Sequence, residues 1–490
     1  MGKIVTRTCD GFQEMSAVEP CKEAEMNRAQ ISKMMEKARA AQMIFETYDQ
    51  ERVDEVVMAI GWAVFKEDNA RYLARLECEE TGMGNPEDKF TKNMHRTKGA
   101  VWSLMGKKSV GVLDVDVEPG VTRIAKPMGV VGALTPCTNA APGTVGNALM
   151  ICKCRNAVIF APNPRSKKTS DETVRLIREQ LEKVGAPVDI VQGISNISKE
   201  LSQELMRQCD CVVATGGAPM VKAAYSSGTP CLGVGAGNST VVIDETADLA
   251  DAAKKVATGK TFDYATSCSS ENGVVVQEGV YDRFIDELVK NGGYLVTPEE
   301  KEQLKNAMWV NGALSVKIIC KSPKEILNVT GITTKEAQNA RFIIVPEDGT
   351  GPDHPFSGEK LSPVLTAFKY GDFDEAVELV QRITGYQGRG HSCSIHSKNE
   401  EHMLKLAMAI PVCRVLVNQV QAFGNSGNFN NGLNFTATLG CGSWGGNSVS
   451  ENVTYKHLMN ITRLARPVEG VKLPTEEEVF GRFVKKWGRA

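Results

Sequence analysis

The sequence predicts an α/β protein built from two doubly wound domains, and three observations carry that prediction. Short β-rich runs alternate with helical segments, they fall into two successive series, and the first hundred residues carry helical spacing with almost no strand signal. A chain of 490 residues is long enough for two or three compact domains, because single cores stop growing near roughly 250–300 residues.

The first twenty residues read as irregular. Apolar positions Ile31, Met34, Met35, Ala38, Ala41 and Phe45 then recur at helical spacing, and Val53, Val56, Val57, Ile60 and Val64 repeat the pattern. Gly82 closes a third helix and Pro86 opens a fourth, so residues 22–106 are expected to be a helical array. A first strand series is expected at 129–134, 157–161, 188–191, 211–214 and 240–243. Helices separate several of these, one over 169–184 capped by Ser170 and one over 197–207. After a helix near 247–260, a second series is expected at 273–277, 316–320, 341–345, 392–396 and 414–417. The Asn- and Gly-rich stretch 418–447 carries Phe423, Phe429, Phe435 and Trp444, so it is expected to pack as a wall beside the substrate.

Formal charge is −2 and both signs are scattered, which argues against nucleic acid and membrane surfaces as partners. No apolar run approaches the ~20 residues of a membrane span, and the amino terminus has no signal-peptide core. The 14 cysteines are spread through mostly apolar runs, which fits a reduced, cytoplasmic setting. The Cys-x-Cys pairs at 152/154 and 209/211 lack partners at ligand spacing, so no metal site is expected.

Cys268 lies in Ala-Thr-Ser-Cys-Ser-Ser-Glu-Asn-Gly, a junction with small, polar neighbours that would let a substrate approach. The residues alone leave an ordinary loop thiol open. Thr215-Gly216-Gly217 joins a strand to a helix start, a geometry that can turn backbone N–H groups toward a phosphate. Gly233-Val234-Gly235-Ala236-Gly237 precedes a strand and implies close backbone approach to a ligand or to another strand. Asn139 follows the carboxyl end of a strand, where an amide could stabilise an oxyanion or simply form a turn. Arg165 and Lys167, after another strand end, offer cations for phosphate or form a solvated loop.

The stretches GVVGALTPCTN, RNAVIFAPNPRSKK, TGGAPMVKAAYSSGTPCLGVGAGNSTVVID, TFDYATSCSSENGVVV, EKLSPVL and LGCGSWGGNSVSENV resemble, in order, the aldehyde dehydrogenase superfamily. Within it they are most similar to the CoA-acylating branch, which includes sulfoacetaldehyde and succinate semialdehyde dehydrogenases and the aldehyde domain of bifunctional aldehyde-alcohol dehydrogenases. The resemblance implies an aldehyde dehydrogenase-like fold. It divides the chain into a nucleotide-binding domain (1–110 and 127–245), a catalytic domain (246–445) and an oligomerisation element (111–126 and 446–490). It implies NAD or NADP as hydride acceptor, coenzyme A as co-substrate, and a homodimer or homotetramer. Cys268 then matches the nucleophile and Asn139 the oxyanion-stabilising amide. Glu359 matches the nicotinamide-ribose carboxylate, and Thr135, Pro136, Arg165, Lys167, Thr215, Gly216, Gly217 and Gly235 fall at the nucleotide site.

Hydrolytic members carry a glutamate base two residues before a double glycine, and Val234 stands at the matching position. General-base help is worth ~10²–10⁴-fold, so its absence favours a thiol over water as the acyl acceptor. The resemblance points to a small anionic aldehyde, with Arg389, His391, Gln419 and Gln421 as candidate substrate contacts. Two rivals stay open: a hydrolytic aldehyde dehydrogenase, and a cysteine hydrolase pairing Cys268 with His391 or His396.

Overall fold

A computed structural model describes the backbone of residues 4–8, 11–15 and 19–488 and the side chains of 22–488. Where an irregular start was expected, β1 (Ile4–Thr8) and β2 (Gly11–Met15) pair as an antiparallel hairpin. Four helices follow: α1 (Glu19–Phe45), α2 (Gln50–Phe65), α3 (Glu67–Thr81) and α4 (Pro86–Leu104). Asp49 and Asn85 cap α2 and α4 through their side chains, and Gly82 ends α3 in the left-handed conformation.

The first sheet contains β5 (Val130–Thr135), β6 (Ala157–Pro162), β7 (Val191–Gly193), β8 (Cys211–Thr215) and β9 (Cys231–Val234), introduced after β3 (Gly111–Val115) and β4 (Val121–Lys126). Its order is β7-β6-β5-β8-β9, and every pair is parallel. The chain winds outward from β5 in one direction through β6 and β7, then returns to place β8 on the other side. The carboxyl ends of β5 and β8 therefore form a topological switch point, where a crevice opens. Helices α5 (Ala140–Cys152) and α6 (Lys167–Lys183) pack on this sheet, as do α1 and α7 (Lys199–Gln208); α8 (Ala218–Tyr225) links β8 to β9. The strands carry near-continuous apolar runs because both faces are covered, and β5 and β6 are buried at every residue.

The second sheet runs β12-β15-β16-β11-β10-β17-β18, again wholly parallel. In chain order these are β10 (Thr240–Ile243), β11 (Gly273–Gln277), β12 (Gly293–Leu295), β15 (Phe342–Pro346), β16 (Val364–Tyr370), β17 (Cys393–His396) and β18 (Val415–Val417). A small hairpin of β13 (Trp309–Val310) and β14 (Ala313–Leu314) lies between β12 and β15. Finally β19 (Asn460–Ala465) pairs with β4 in a three-stranded antiparallel sheet of order β19-β4-β3.

Several expectations are corrected. Residues 316–320 form successive turns rather than a strand; the run reads apolar because Ile318 and Cys320 are buried. Residues 188–190 are a 3₁₀ turn, and only Val191–Gly193 is strand. Strands β9, β12 and β16 were not expected. The helix expected from 169 begins at Lys167, so Ser170 lies inside it and faces the Thr144 hydroxyl instead of capping. No helix among the described residues is long and apolar enough to cross a membrane.

Candidate active site

One cavity of about 560 Å³ lies between the two parallel sheets. Its wall on the first sheet comes from carboxyl ends: Thr135–Asn139 after β5, Ala161–Pro164 at and after β6, and Thr215–Gly217 at and after β8. The second sheet contributes from the opposite pole. Gly235 precedes β10, Cys268 precedes β11, and Glu359 precedes β16, so this domain presents the amino ends of adjacent strands.

The loop to Cys268 is unusual. Asp263, Tyr264 and Ala265 take φ of 49°, 49° and 57°, three consecutive non-glycine residues in the left-handed region. Each such residue costs on the order of 1–3 kcal/mol and persists only where its surroundings over-determine it. Here the Asp263 carboxylate does so. It receives Lys89 Nζ at 3.2 Å, Lys92 Nζ at 2.5 Å, the Thr266 hydroxyl at 2.5 Å and the Asn85 backbone N–H at 3.0 Å. The two ammonium groups hold Asp263 below the usual carboxylate range despite its burial. On the other side, a Cβ at Gly237 would stand 2.1 Å from the Cys268 carbonyl oxygen, so the glycine run allows the close approach that its spacing implied.

Cys268 Sγ lies 3.2 Å from His391 Nε2. His391 Nδ1 lies 2.8 Å from the Ser392 hydroxyl, which in turn meets the Ser239 hydroxyl at 2.9 Å. Burial, reinforced by the facing Arg414 guanidinium, pulls the imidazole down to about 3. Burial, with the Glu359 carboxylate next, pushes the thiol up to about 12. The resting pair is therefore a neutral thiol beside a neutral imidazole that can accept its proton.

Asn139 occupies the amino-terminal cap position of α5, where an Asn side chain usually bonds the first-turn N–H groups. It makes no such bond. The Glu77 carboxylate accepts from the Ala141 N–H at 3.2 Å instead, and one N–H of the Asn139 amide donates to the Thr138 hydroxyl at 3.3 Å, which leaves the other without a partner among the described residues. Lys92 Nζ then donates to Asn139 Oδ1 at 2.9 Å. An ammonium can only donate, so it fixes the amide with its NH₂ end as the one still available to the cavity.

The buried Thr135 hydroxyl has no partner among the described residues although Thr135 lines the cavity, and Gly235 has open space where a Cβ would sit. An unsatisfied donor and a bare backbone beside a cleft at a topological switch point fit a nucleotide. Beyond them α7 adds Lys199, Ser202 and Gln203, polar residues the sequence reading had not selected.

The profile of the aldehyde dehydrogenase family matches residues 8–307. The chain is 47% identical over 465 residues to a sulfoacetaldehyde dehydrogenase of an Acholeplasma species, covering 93% of this chain and 95% of that one. The chain belongs to the aldehyde dehydrogenase family. It is also 42% identical to the succinate-semialdehyde dehydrogenase (acetylating) of Clostridium kluyveri, covering 93% of this chain and all of that one. Among solved structures, an acetylating aldehyde dehydrogenase from Geobacillus thermoglucosidasius superposes with a TM-score of 0.88 at 36% identity, covering 92% of this chain and 99% of that one.

In this family member the cavity brings together Cys268, Asn139, Thr135, Pro136, Thr215, Gly216, Gly217, Gly235 and Glu359. Glu359 accepts the Gly237 N–H at 3.1 Å, and burial pushes its carboxyl up to about 8. Other expected residues lie off the cavity wall. Arg165 donates to the Thr81 carbonyl at 3.3 Å, and Lys167 sits in the first turn of α6. Three of the four substrate candidates also lie off the cavity wall. Gln421 is fully buried and donates to the Thr240 carbonyl, Gln419 accepts from Asn431, and Arg389 does not line the cavity. The fourth, His391, contacts Cys268 Sγ and is likewise not among the residues lining the cavity. The stretch 418–447 lines the cavity through Ser426, Thr436, Ala437 and Leu439. Arg96 of α4 lines it too, and the sequence reading had passed it over.

Proposed function

We propose that the chain is a CoA-acylating aldehyde dehydrogenase that converts a small anionic aldehyde, of the sulfoacetaldehyde or succinate semialdehyde kind, to its acyl-CoA. The observation that carries this is a thiol cavity with no carboxylate left over as a base for water. Val234, at the position of the hydrolytic glutamate, is a buried apolar residue. Glu359 is the one carboxylate among the described residues lining the cavity, and the Gly237 N–H already engages it.

Cys268 Sγ attacks the aldehyde carbon as His391 Nε2 takes the thiol proton. The amide NH₂ of Asn139 and the backbone N–H of Cys268 receive the charge that develops on the aldehyde oxygen. Thr135, Pro136, Thr215–Gly217, Gly235 and Glu359 would hold a nicotinamide nucleotide, which accepts hydride when bound. Cys268 then carries the acyl group as a thioester. His391 releases its first proton to solvent, the coenzyme A thiol passes its own proton to Nε2 as its sulfur adds to that carbon, the bond to Sγ breaks, and the imidazolium returns a proton to Cys268. Lys92 and Glu77 keep the Asn139 amide aimed throughout. Asn139→Ala is expected to lower kcat by about 10²–10³-fold with little change in nucleotide binding, measured by steady-state kinetics and nucleotide titration.

The reaction class is tested by following nicotinamide absorbance with succinate semialdehyde, with and without coenzyme A. Sustained turnover is expected only with coenzyme A, with acyl-CoA as product and roughly one reduced nucleotide per site when it is withheld. Steady release of free acid without coenzyme A would favour the hydrolytic reading instead. A homodimer or homotetramer fits the three-stranded sheet, whose outer strands β3 and β19 have unpaired edges. The described cysteines are all unpaired, which supports a reduced, cytoplasmic setting.

A further inference from the structure

Arg96 stands out once the charges around the cavity are paired off. Below the nucleophile, two buried carboxylates, Glu77 and Asp263, meet two buried ammonium groups, Lys89 and Lys92. That cluster is balanced. Arg96 lies on the same helix, one turn beyond Lys92, and forms no hydrogen bond or ion pair with any described residue. It lines the main cavity with Cys268, and it also borders a small hollow with Phe435, Thr436 and Ala437 on the substrate wall. The other cation on the cavity wall, Lys199, belongs to α7 on the nucleotide side. Arg96 is half-buried on the cavity wall, so its guanidinium is left with donors that an anionic ligand in the cavity can take up.

We propose that Arg96 is the specificity-determining residue that binds the sulfonate or carboxylate at the far end of the substrate. The planar fork of Arg suits two oxygens of either anion, which a lysine would meet only as a point charge. The neighbouring Ser426 hydroxyl is available to donate to a remaining oxygen, whereas that of Thr436 already donates to the Val453 carbonyl at 2.6 Å. The inference rests on the acylating reading above and deepens it: the aldehyde carbon lies at Cys268 while the negative end of the molecule lies against α4.

The test compares wild type with Arg96→Met and Arg96→Lys, using succinate semialdehyde, sulfoacetaldehyde and neutral butyraldehyde at saturating nucleotide and coenzyme A. Arg96→Met is expected to lower kcat/KM for both anionic aldehydes by about 10–100-fold, mostly through KM, and to change the value for butyraldehyde by less than about threefold. Arg96→Lys should fall between them, and KM for coenzyme A should not move. Equal losses on charged and neutral aldehydes would overturn the proposal, because Arg96 would then be acting on the Cys268 thiolate or on the fold. So would a rise confined to the KM for coenzyme A. A titration of succinate by calorimetry reads the same contact without catalysis: wild type should bind it and Arg96→Met should not. If wild type binds succinate through Arg96 yet forms no acyl-CoA from any aldehyde, the acylating reading fails while the anion site stands. Acyl-CoA formation with no difference between wild type and Arg96→Met sinks the anion site alone.

Discussion

Cys268→Ala is expected to abolish aldehyde oxidation, lowering kcat by on the order of 10⁴-fold or more, while leaving the fold and nucleotide binding intact. Removing one sulfur opens little space, because the residue already borders the cavity. Cys268→Ser should fare scarcely better: an alkoxide is harder to form beside a neutral imidazole and is a poorer leaving group when coenzyme A attacks. The thiol carries its own pH signature. Burial pushes it up to about 12, so the neutral form dominates at every pH below that and the thiolate fraction rises about tenfold per unit. Alkylation of Cys268 by iodoacetamide in the free enzyme should therefore accelerate from pH 6 to pH 9 without a plateau. A plateau near pH 7 would show a thiolate already present at rest and contradict the neutral pair described above. Normal turnover by Cys268→Ala would remove the thioester altogether.

The two-sheet architecture was legible because buried parallel strands must be apolar along their length and must be separated by crossover helices. Residues 316–320 misled for the same reason. Ile318 and Cys320 enter the core from a turn, and burial alone does not distinguish a turn from a strand. Cys268 and Asn139, which share one cavity, could be singled out because small polar neighbours and a strand's carboxyl end are visible in the residues. His391 could not be placed by that logic: the second domain faces the cavity with the amino ends of β10, β11 and β17, opposite to the pole where ligands gather in open sheets. The amide-rich loop misled differently. Its polar side chains satisfy its own and nearby backbone, as Gln421 does at Thr240 and Asn431 at Gly424, so they are not free for a ligand. Lys89, Lys92 and Arg96 sit at i, i+3 and i+7 on one face of α4. In isolation that basic stripe looks like a solvated surface, and only the Glu77 and Asp263 carboxylates brought from α3 and the nucleophile loop show that it points inward.

His391→Ala is expected to slow turnover by about 10²–10⁴-fold near neutral pH, and the size of the loss should itself depend on pH. The imidazole is held down to about 3, so it stays neutral throughout the working range and gives the wild type no inflection between pH 5 and 8. It acts as a proton acceptor for thiols, first that of Cys268 and later that of coenzyme A. Each of those thiols ionises without help as the solution becomes alkaline. The ratio of wild-type to variant kcat/KM should accordingly shrink from pH 7 to pH 9.5, and added imidazole should restore part of the lost rate if it can enter the cavity. A residue that merely filled space beside the sulfur, or only held Ser392 and Ser239 in line, would give a ratio that does not change with pH.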